Sequence, residues 1–223
     1  MRAALVLVAL AAVAHAQPTS PREGGRVTGT VKVTDADGKP AIGAEVVVYV
    51  VGFKDPGTGT PTTIEQKGRK FVPELVAITA GDSVSFPNGD KFLHNVFSPS
   101  TTRKFDLGSF KRGETKTKEF PTTGVVDVYC NIHPEMAATI LVVPNRAHAR
   151  AKADGSFVVT GVPPGTWTVF AYTRRAAKPV AAKVTVTAGT DATVSLALQR
   201  GAETEHLNKY GEKYRPDAPN TYR

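Results

Sequence analysis

Among 223 residues there is one cysteine, Cys130, and one methionine beyond the initiator, Met136. A single thiol excludes an internal disulfide. It also excludes the C-x-x-C-H attachment of a c-type haem, and a dinuclear copper centre, which needs two thiolates. Apolar runs are short: past the first sixteen residues none approaches the roughly 20 that a membrane-crossing helix needs, so no transmembrane segment is expected. No segment sustains an apolar repeat of about 3.6 residues, which argues against amphipathic helices. Acidic residues are scattered rather than paired, and neither a G-x-S-x-G elbow nor a phosphate-binding loop occurs. Nothing in the chain points to an enzyme.

What the chain does contain is strand signal. Residues 26–34 (R-V-T-G-T-V-K-V-T) alternate apolar with polar, and residues 44–51 (A-E-V-V-V-Y-V-V) are rich in β-branched side chains. Turn chemistry at 35–40 separates the two, and a Gly-, Pro- and Thr-rich loop follows over 52–63. Further on, residues 156–160, 166–173, 181–187 and 192–198 read as strands, broken by Asp154-Gly155, Pro163-Pro164-Gly165 and similar turns. Strands recurring at about eight to twelve residues with turn signals between them predict an all-β protein of sandwich type. Residues 1–16 lie apart from this pattern. Arg2, the apolar run to Val13 and Ala14-His15-Ala16 before Gln17 make a cleavable signal peptide, so an exported, periplasmic protein is expected.

The only cysteine and the only internal methionine share one short stretch, Tyr129-Cys130-Asn131-Ile132-His133-Pro134-Glu135-Met136. Cys130 follows a strand-like run whose Val126 and Val128 share its face, and a second apolar run over 138–143 follows Met136. The turn between two packed strands thus gathers a thiol, an imidazole and a thioether in C-x2-H-x2-M spacing. His94, in Leu93-His94-Asn95-Val96-Phe97, is the candidate fourth ligand. Two imidazoles and a thiolate in a plane with a weak axial thioether form the donor set of a blue-copper electron-transfer site. Zinc would recruit more thiolate or carboxylate and has no use for a thioether. A lone thiol in an oxidising compartment is also exposed to oxidation unless a metal occupies it. The bland alternative is a small buried Cys beside a core-filling Met.

Gly81-Asp82-Ser83-Val84-Ser85-Phe86-Pro87-Asn88-Gly89-Asp90 followed by His94-Asn95-Val96 resembles the first-ligand region of cupredoxins such as plastocyanin. The short Cys130-to-Met136 loop, with Pro134 after the second His, is similar to that of amicyanin. The resemblance implies a Greek-key sandwich over 54–145 holding one type 1 copper. It implies His94, Cys130 and His133 as equatorial ligands and Met136 as the axial one. Asn95 would tie the two ligand loops together with its backbone amide directed at the Cys130 sulfur. The flanking segments carry a second resemblance. V-T-G-T-V, D-G-K-P and G-A-E-V-V-V, with A-D-G-S-F-V-V-T-G-V-P-P-G-T-W-T-V, resemble a carboxypeptidase regulatory-like, transthyretin-like sandwich. Residues 26–51 plus 147–199 would form this domain, split by the inserted cupredoxin. The competing assignment gives strand 44–51 to the cupredoxin sheet and leaves a smaller C-terminal module.

The formal charge is +8. Its excess sits in 146–199, on Arg146, Arg150, Lys152, Arg174, Arg175, Lys178 and Lys183, while 54–145 is near neutral. A basic face steers acidic partners or meets an anionic membrane, or simply keeps the protein soluble. Nucleic acid is not expected, for want of a basic-aromatic stripe. His148 and His206 lack neighbours at ligand spacing and read as surface residues. Residues 201–223 read as a polar, extended or disordered tail, whose Tyr210, Tyr214 and Tyr222 could dock on a sandwich face. Two functions follow. One is a periplasmic electron carrier serving a redox protein, a c-type cytochrome or a dehydrogenase, an acidic one included; the resemblance implies His133 as the edge through which electrons pass, with Ile132, Pro134 and Glu135 flanking a small docking surface. The other is a surface or carbohydrate- or protein-binding module that uses copper for storage or stability.

Overall fold

The computed structural model describes residues 24–176, 178–202 and 205–214, and every regular element among them is a β-strand. The signal-peptide expectation lies outside the described residues. Among the described residues no helix is long and apolar enough to cross a membrane.

Two strands open the chain, β1 (Gly25–Thr34) and β2 (Val46–Val51). The middle of the chain supplies β3 (Thr62–Thr63), β4 (Glu65–Gln66), β5 (Phe71–Val72), β6 (Leu75–Thr79) and β7 (Ser83–Pro87). It continues with β8 (His94–Ser98), β9 (Phe105–Phe110), β10 (Thr115–Glu119), β11 (Gly124–Tyr129) and β12 (Ala137–Val143). The remainder is β13 (His148–Arg150), β14 (Ser156–Val162), β15 (Gly165–Thr173), β16 (Val180–Val186) and β17 (Asp191–Gln199).

The middle strands build a five-stranded sheet, β6-β12-β11-β8-β9, facing a smaller one, β10-β7-β3. Between them lies an apolar core that includes Ile64, Phe71, Phe86, Phe110, Phe120, Val126 and Ile140. Cys130 and Met136 belong to this same core. β10 alternates exposed and half-buried residues because only one of its faces meets the core. The loop read over 52–63 ends in β3, which pairs in parallel with β7.

The first two strands share sheets with the last five, pairing directly with four of them. β1 runs between β14 and β17, antiparallel to the first and parallel to the second. β2 runs between β13 and β15. Their core joins Val27, Val31, Val46, Val48 and Val50 to Phe157, Val159, Val169, Leu196 and Leu198. The A-D-G-S turn before β14 requires its glycine. Gly155 has φ +82, and a Cβ there would lie 2.4 Å from the Val31 carbonyl oxygen. The carbonyl of Gly155 itself accepts from Val31 N at 2.8 Å.

β2 is apolar on both faces, and the packing explains why. Val46, Val48 and Val50 face the core of their own sheet, whereas Val47 and Tyr49 turn outward onto Leu75, Leu141, Val143 and Tyr172. A strand covered on both sides reads as an unbroken hydrophobic run. Polar contacts frame this junction. Arg174 pairs with Glu74 at 2.6 Å and Arg146 with Asp55 at 2.8 Å. Arg150 pairs with Glu45, whose other oxygen accepts from Leu75 N. Three of the seven cations read as a basic face therefore serve as internal ties.

Candidate metal centre

β11 and β12 are antiparallel neighbours in register to their ends, Tyr129 opposite Ala137. The seven residues between them form a closed turn in which Cys130 N donates to Met136 O at 3.2 Å and Met136 N to His133 O at 3.0 Å. Cys130, next in line after Val126 and Val128, continues their inward face and has no exposed surface. His94 opens β8, which pairs with β11 through Phe97 and Tyr129. That pairing brings His94 to the ligand turn across 36 residues of sequence.

Three buried donors converge. His94 Nδ1 and His133 Nδ1 are 3.0 Å apart, and Cys130 Sγ lies 3.9 Å from the first and 3.8 Å from the second. The centre of this triangle is about 2.1 Å from each atom, the length of a metal–imidazole bond. Among the described residues this is the group of His, Cys and acidic side chains able to hold an ion. Met136 is fully buried in the same core cluster as Cys130. A thiol, two imidazoles and a neighbouring thioether, all shielded from water, fit a single copper ion.

The surroundings prepare the donors. His94 Nε2 lies 2.9 Å from an Asp90 carboxylate oxygen. A carboxylate can only accept, so Nε2 carries the ring proton and Nδ1 directs its lone pair into the triangle. Asp90 also accepts from Gly68 N at 2.8 Å and Arg69 N at 2.9 Å. Burial alone would raise its pKa. The two amides and the His94 ring outweigh that and hold the carboxyl below the usual range. Burial pushes the Cys130 thiol up, against the amides of Asn95, Ile132 and His133 directed at the sulfur. His133, only 4% exposed, is held below the usual imidazole range by burial first and by His94 second.

Asn95 lies between the two ligand loops. Its N–H is directed at Cys130 Sγ at 3.5 Å, its side-chain amide donates to Asp106 at 2.7 Å, and its Oδ1 accepts from Asn131 N at 3.2 Å. Pro134 is exposed at the tip of the turn.

Asp90 and Asp106 are functional candidates that sequence reading missed. Asp90 closes the motif that resembles a first-ligand region, but no role was read for it, since its place four residues before His94 in a loop carries no structural meaning. Asp90→Ala is expected to weaken metal binding by about 10- to 100-fold, read by competition with a chelator of known affinity. An unchanged affinity would mean that packing alone holds His94.

Of the stretch read as an extended or disordered tail, residues 201–202 and 205–214 are described. Residues 205–214, without regular structure, lie against the ligand turn. Tyr214 Oη donates to the Cys130 carbonyl at 3.1 Å, and Lys209 N donates to Asn131 Oδ1 at 2.9 Å. Lys209 Nζ pairs with Asp106 at 2.8 Å. His206, read as a surface residue, stacks on Tyr129 with ring centres 3.9 Å apart. His148 is likewise not free on the surface, because it is half-buried in β13 and burial holds its pKa down. The His206 ring between Tyr129 and Tyr214 anchors this docking, which the tyrosines of the polar stretch had left open.

No family model matches the chain. The plastocyanins of Ulva arasakii and Ulva pertusa are each 32% identical to it over 72 residues, 28% of this chain and 74% of theirs. Among solved structures, it is similar to a purple cupredoxin from Nitrosopumilus maritimus (22% identity, 37% of this chain and 99% of that one, TM-score 0.34). It is also similar to amicyanin from Paracoccus versutus (21% identity, 43% and 97%, TM-score 0.34). A copper-containing nitrite reductase from Thermus scotoductus is 26% identical over 38% of this chain, with a TM-score of 0.36, and only 22% of that enzyme is spanned. The Ulva alignments cover most of each relative's length at an identity beyond a shared sandwich, and on that ground the chain belongs to the plastocyanin family.

Proposed function

We propose that this protein is an exported carrier of single electrons, not an enzyme, and that it works between redox proteins such as a c-type cytochrome and a dehydrogenase. The observation that carries this reading is the buried donor triangle of His94, His133 and Cys130, whose centre is a metal-bond length from all three. A type 1 copper ion held there supplies a one-electron couple. His94, Cys130 and His133 would hold the ion, with Met136, buried in the same core, as the fourth donor, which would leave substrate no open place. Sheet ends and the turn's own hydrogen bonds hold these side chains, which limits their rearrangement when charge changes. Asn95 restrains the thiolate and Pro134 stiffens the turn. A lone thiol that needs an occupant also fits export to the periplasm.

The carrier part is residues 54–145, inserted into a carboxypeptidase regulatory-like domain made of 26–51 plus 147–199. The pairing of β1 with β14 and β17, and of β2 with β13 and β15, supports that division.

The test is to add Cu(II) to the purified protein. An intense visible band with reversible one-electron voltammetry is the expected result; a colourless protein that holds only Cu(I) would mean storage instead. The same voltammetry checks the axial position. Met136→Leu should keep the colour and raise the reduction potential, because loss of a soft donor and a drier pocket both favour the reduced ion. An unchanged or lowered potential in a blue variant would reduce Met136 to core filling.

A further inference from the structure

The charges of the copper half are not spread evenly. Its acids are largely engaged: Asp55 and Glu74 by arginines across the junction, Asp106 by Lys209, and Asp82 by the amides of Gly59 and Thr79. Asp90 is enclosed by His94 and two backbone amides. The exposed Glu135 lines a cleft with Arg174 and Arg175. Cations gather instead around the loop that carries Asp90 and Phe92, which touch His94 and His133. The turn between β4 and β5 reads Lys67-Gly68-Arg69-Lys70 and is exposed throughout. Asp90, which orients His94, also accepts from Gly68 N and Arg69 N, so one carboxylate fixes both the ligand and the basic turn.

Phe92 joins this turn to the metal site. The Arg69 guanidinium lies 4.9 Å from the Phe92 ring centre and Lys91 Nζ 5.6 Å from it. The ring meets His133 edge-on at 6.4 Å between centres. Among the described residues Lys67, Arg69, Lys70 and Lys91 make no ion pair, so their charge is available to a partner. Among the described residues, 205–214 cover the Cys130 side of the ligand turn, and the basic turn lies on the Phe92 and His133 side.

We propose that Lys67, Arg69, Lys70 and Lys91, set around Phe92 beside His133, form the docking surface for an acidic redox protein. The inference rests on the carrier reading and names the chemistry of its partner. Cations ringing the point of exchange raise the encounter rate of an anionic partner and repel a cationic one. An acidic protein, rather than a membrane, is the fitting occupant because the charge surrounds the route to the metal ligands. In the docked pair one electron leaves the partner's reduced centre, which is oxidised, and enters the loaded site, which is reduced.

The experiment uses the copper-loaded full chain and stopped-flow mixing with two protein probes of opposite charge, a reduced acidic plant-type ferredoxin and a reduced basic c-type cytochrome. The variant carries Lys67→Glu, Lys70→Glu and Lys91→Glu together, all exposed positions outside the ligand set, and its unchanged visible band verifies the site. With ferredoxin, the rate of the native protein should fall as salt rises, and the variant should be slower by about tenfold or more at low salt. With the cytochrome the variant should be faster. Rates insensitive to both salt and charge reversal would overturn the docking surface while leaving the carrier reading intact. Absence of electron exchange with either probe would overturn the carrier reading itself. Co-sedimentation with phosphatidylglycerol vesicles, lost in the variant while its ferredoxin rate stays native, would assign the cations to a membrane and reject the protein partner.

Discussion

Cys130→Ala abolishes the intense visible band and nearly all Cu(II) binding, the largest single-residue effect expected for this protein. Cys130 is the only thiol in the chain and has no exposed surface. As a ligand it would bind as thiolate, the one anion beside the neutral imidazoles of His94 and His133. Without it, a dication would sit in an apolar core against uncharged groups. Burying an ion without a compensating charge is strongly unfavourable. Asp90 does not replace that charge, because its carboxylate is already engaged with His94 Nε2 and the amides of Gly68 and Arg69. Cys130→Ser should leave at best a pale, weakly held ion, since a hydroxyl gives up its proton far less readily than a thiol. Absorption and equilibrium dialysis of the two variants decide the matter. A band that survived in Cys130→Ala would remove the thiolate from the site.

A chain reduced to residues 146–199 does not fold, whereas residues 54–145 fold and bind copper alone; this is the second large effect expected. β1 is the central strand of its sheet, paired along its whole length with β17 and on the other side with β14. Its removal leaves β14 and β17 without their shared neighbour and β15 without β2. Five buried valines leave with the first two strands: Val27, Val31, Val46, Val48 and Val50. At about 1.5–3 kcal/mol for each buried side chain, their loss is on the order of 10 kcal/mol. Such a loss matches the whole stability of a small domain, about 5–15 kcal/mol. The middle segment keeps its own core of Phe71, Phe86, Phe110, Phe120 and Ile140. It exposes Leu75, Leu141 and Val143, with Ala77 and Val125 beside them, where Val47, Tyr49 and Tyr172 had covered them. Thermal unfolding followed by circular dichroism separates the outcomes: a cooperative transition in residues 146–199 alone would contradict the split.

The all-β class and most strand positions were legible in the sequence because a strand announces itself locally. Alternation in R-V-T-G-T-V-K-V-T and turn residues such as Asp154-Gly155 depend on neighbours only a few positions away. The ligand turn was legible for the same reason: Cys130, His133 and Met136 fit within seven residues, and a turn between adjacent antiparallel strands keeps near residues near. What the sequence left open arises from distant approach. Pairing of β8 with β11 is what carries His94 to Cys130, and the β4–β5 turn reaches Asp90 because Gln66 of β4 bridges Asn88 just past β7. The alternation of β2 was hidden, since each face meets a different core and no polar residue marks an outside. Docking of residues 205–214, and the gathering of Lys67, Arg69, Lys70 and Lys91 beside Phe92, were also decided by tertiary structure alone. Net charge along a chain says nothing about which cations share a surface. Surface position is set by which strands pair, and pairing is selected by the burial of whole faces rather than by any local residue.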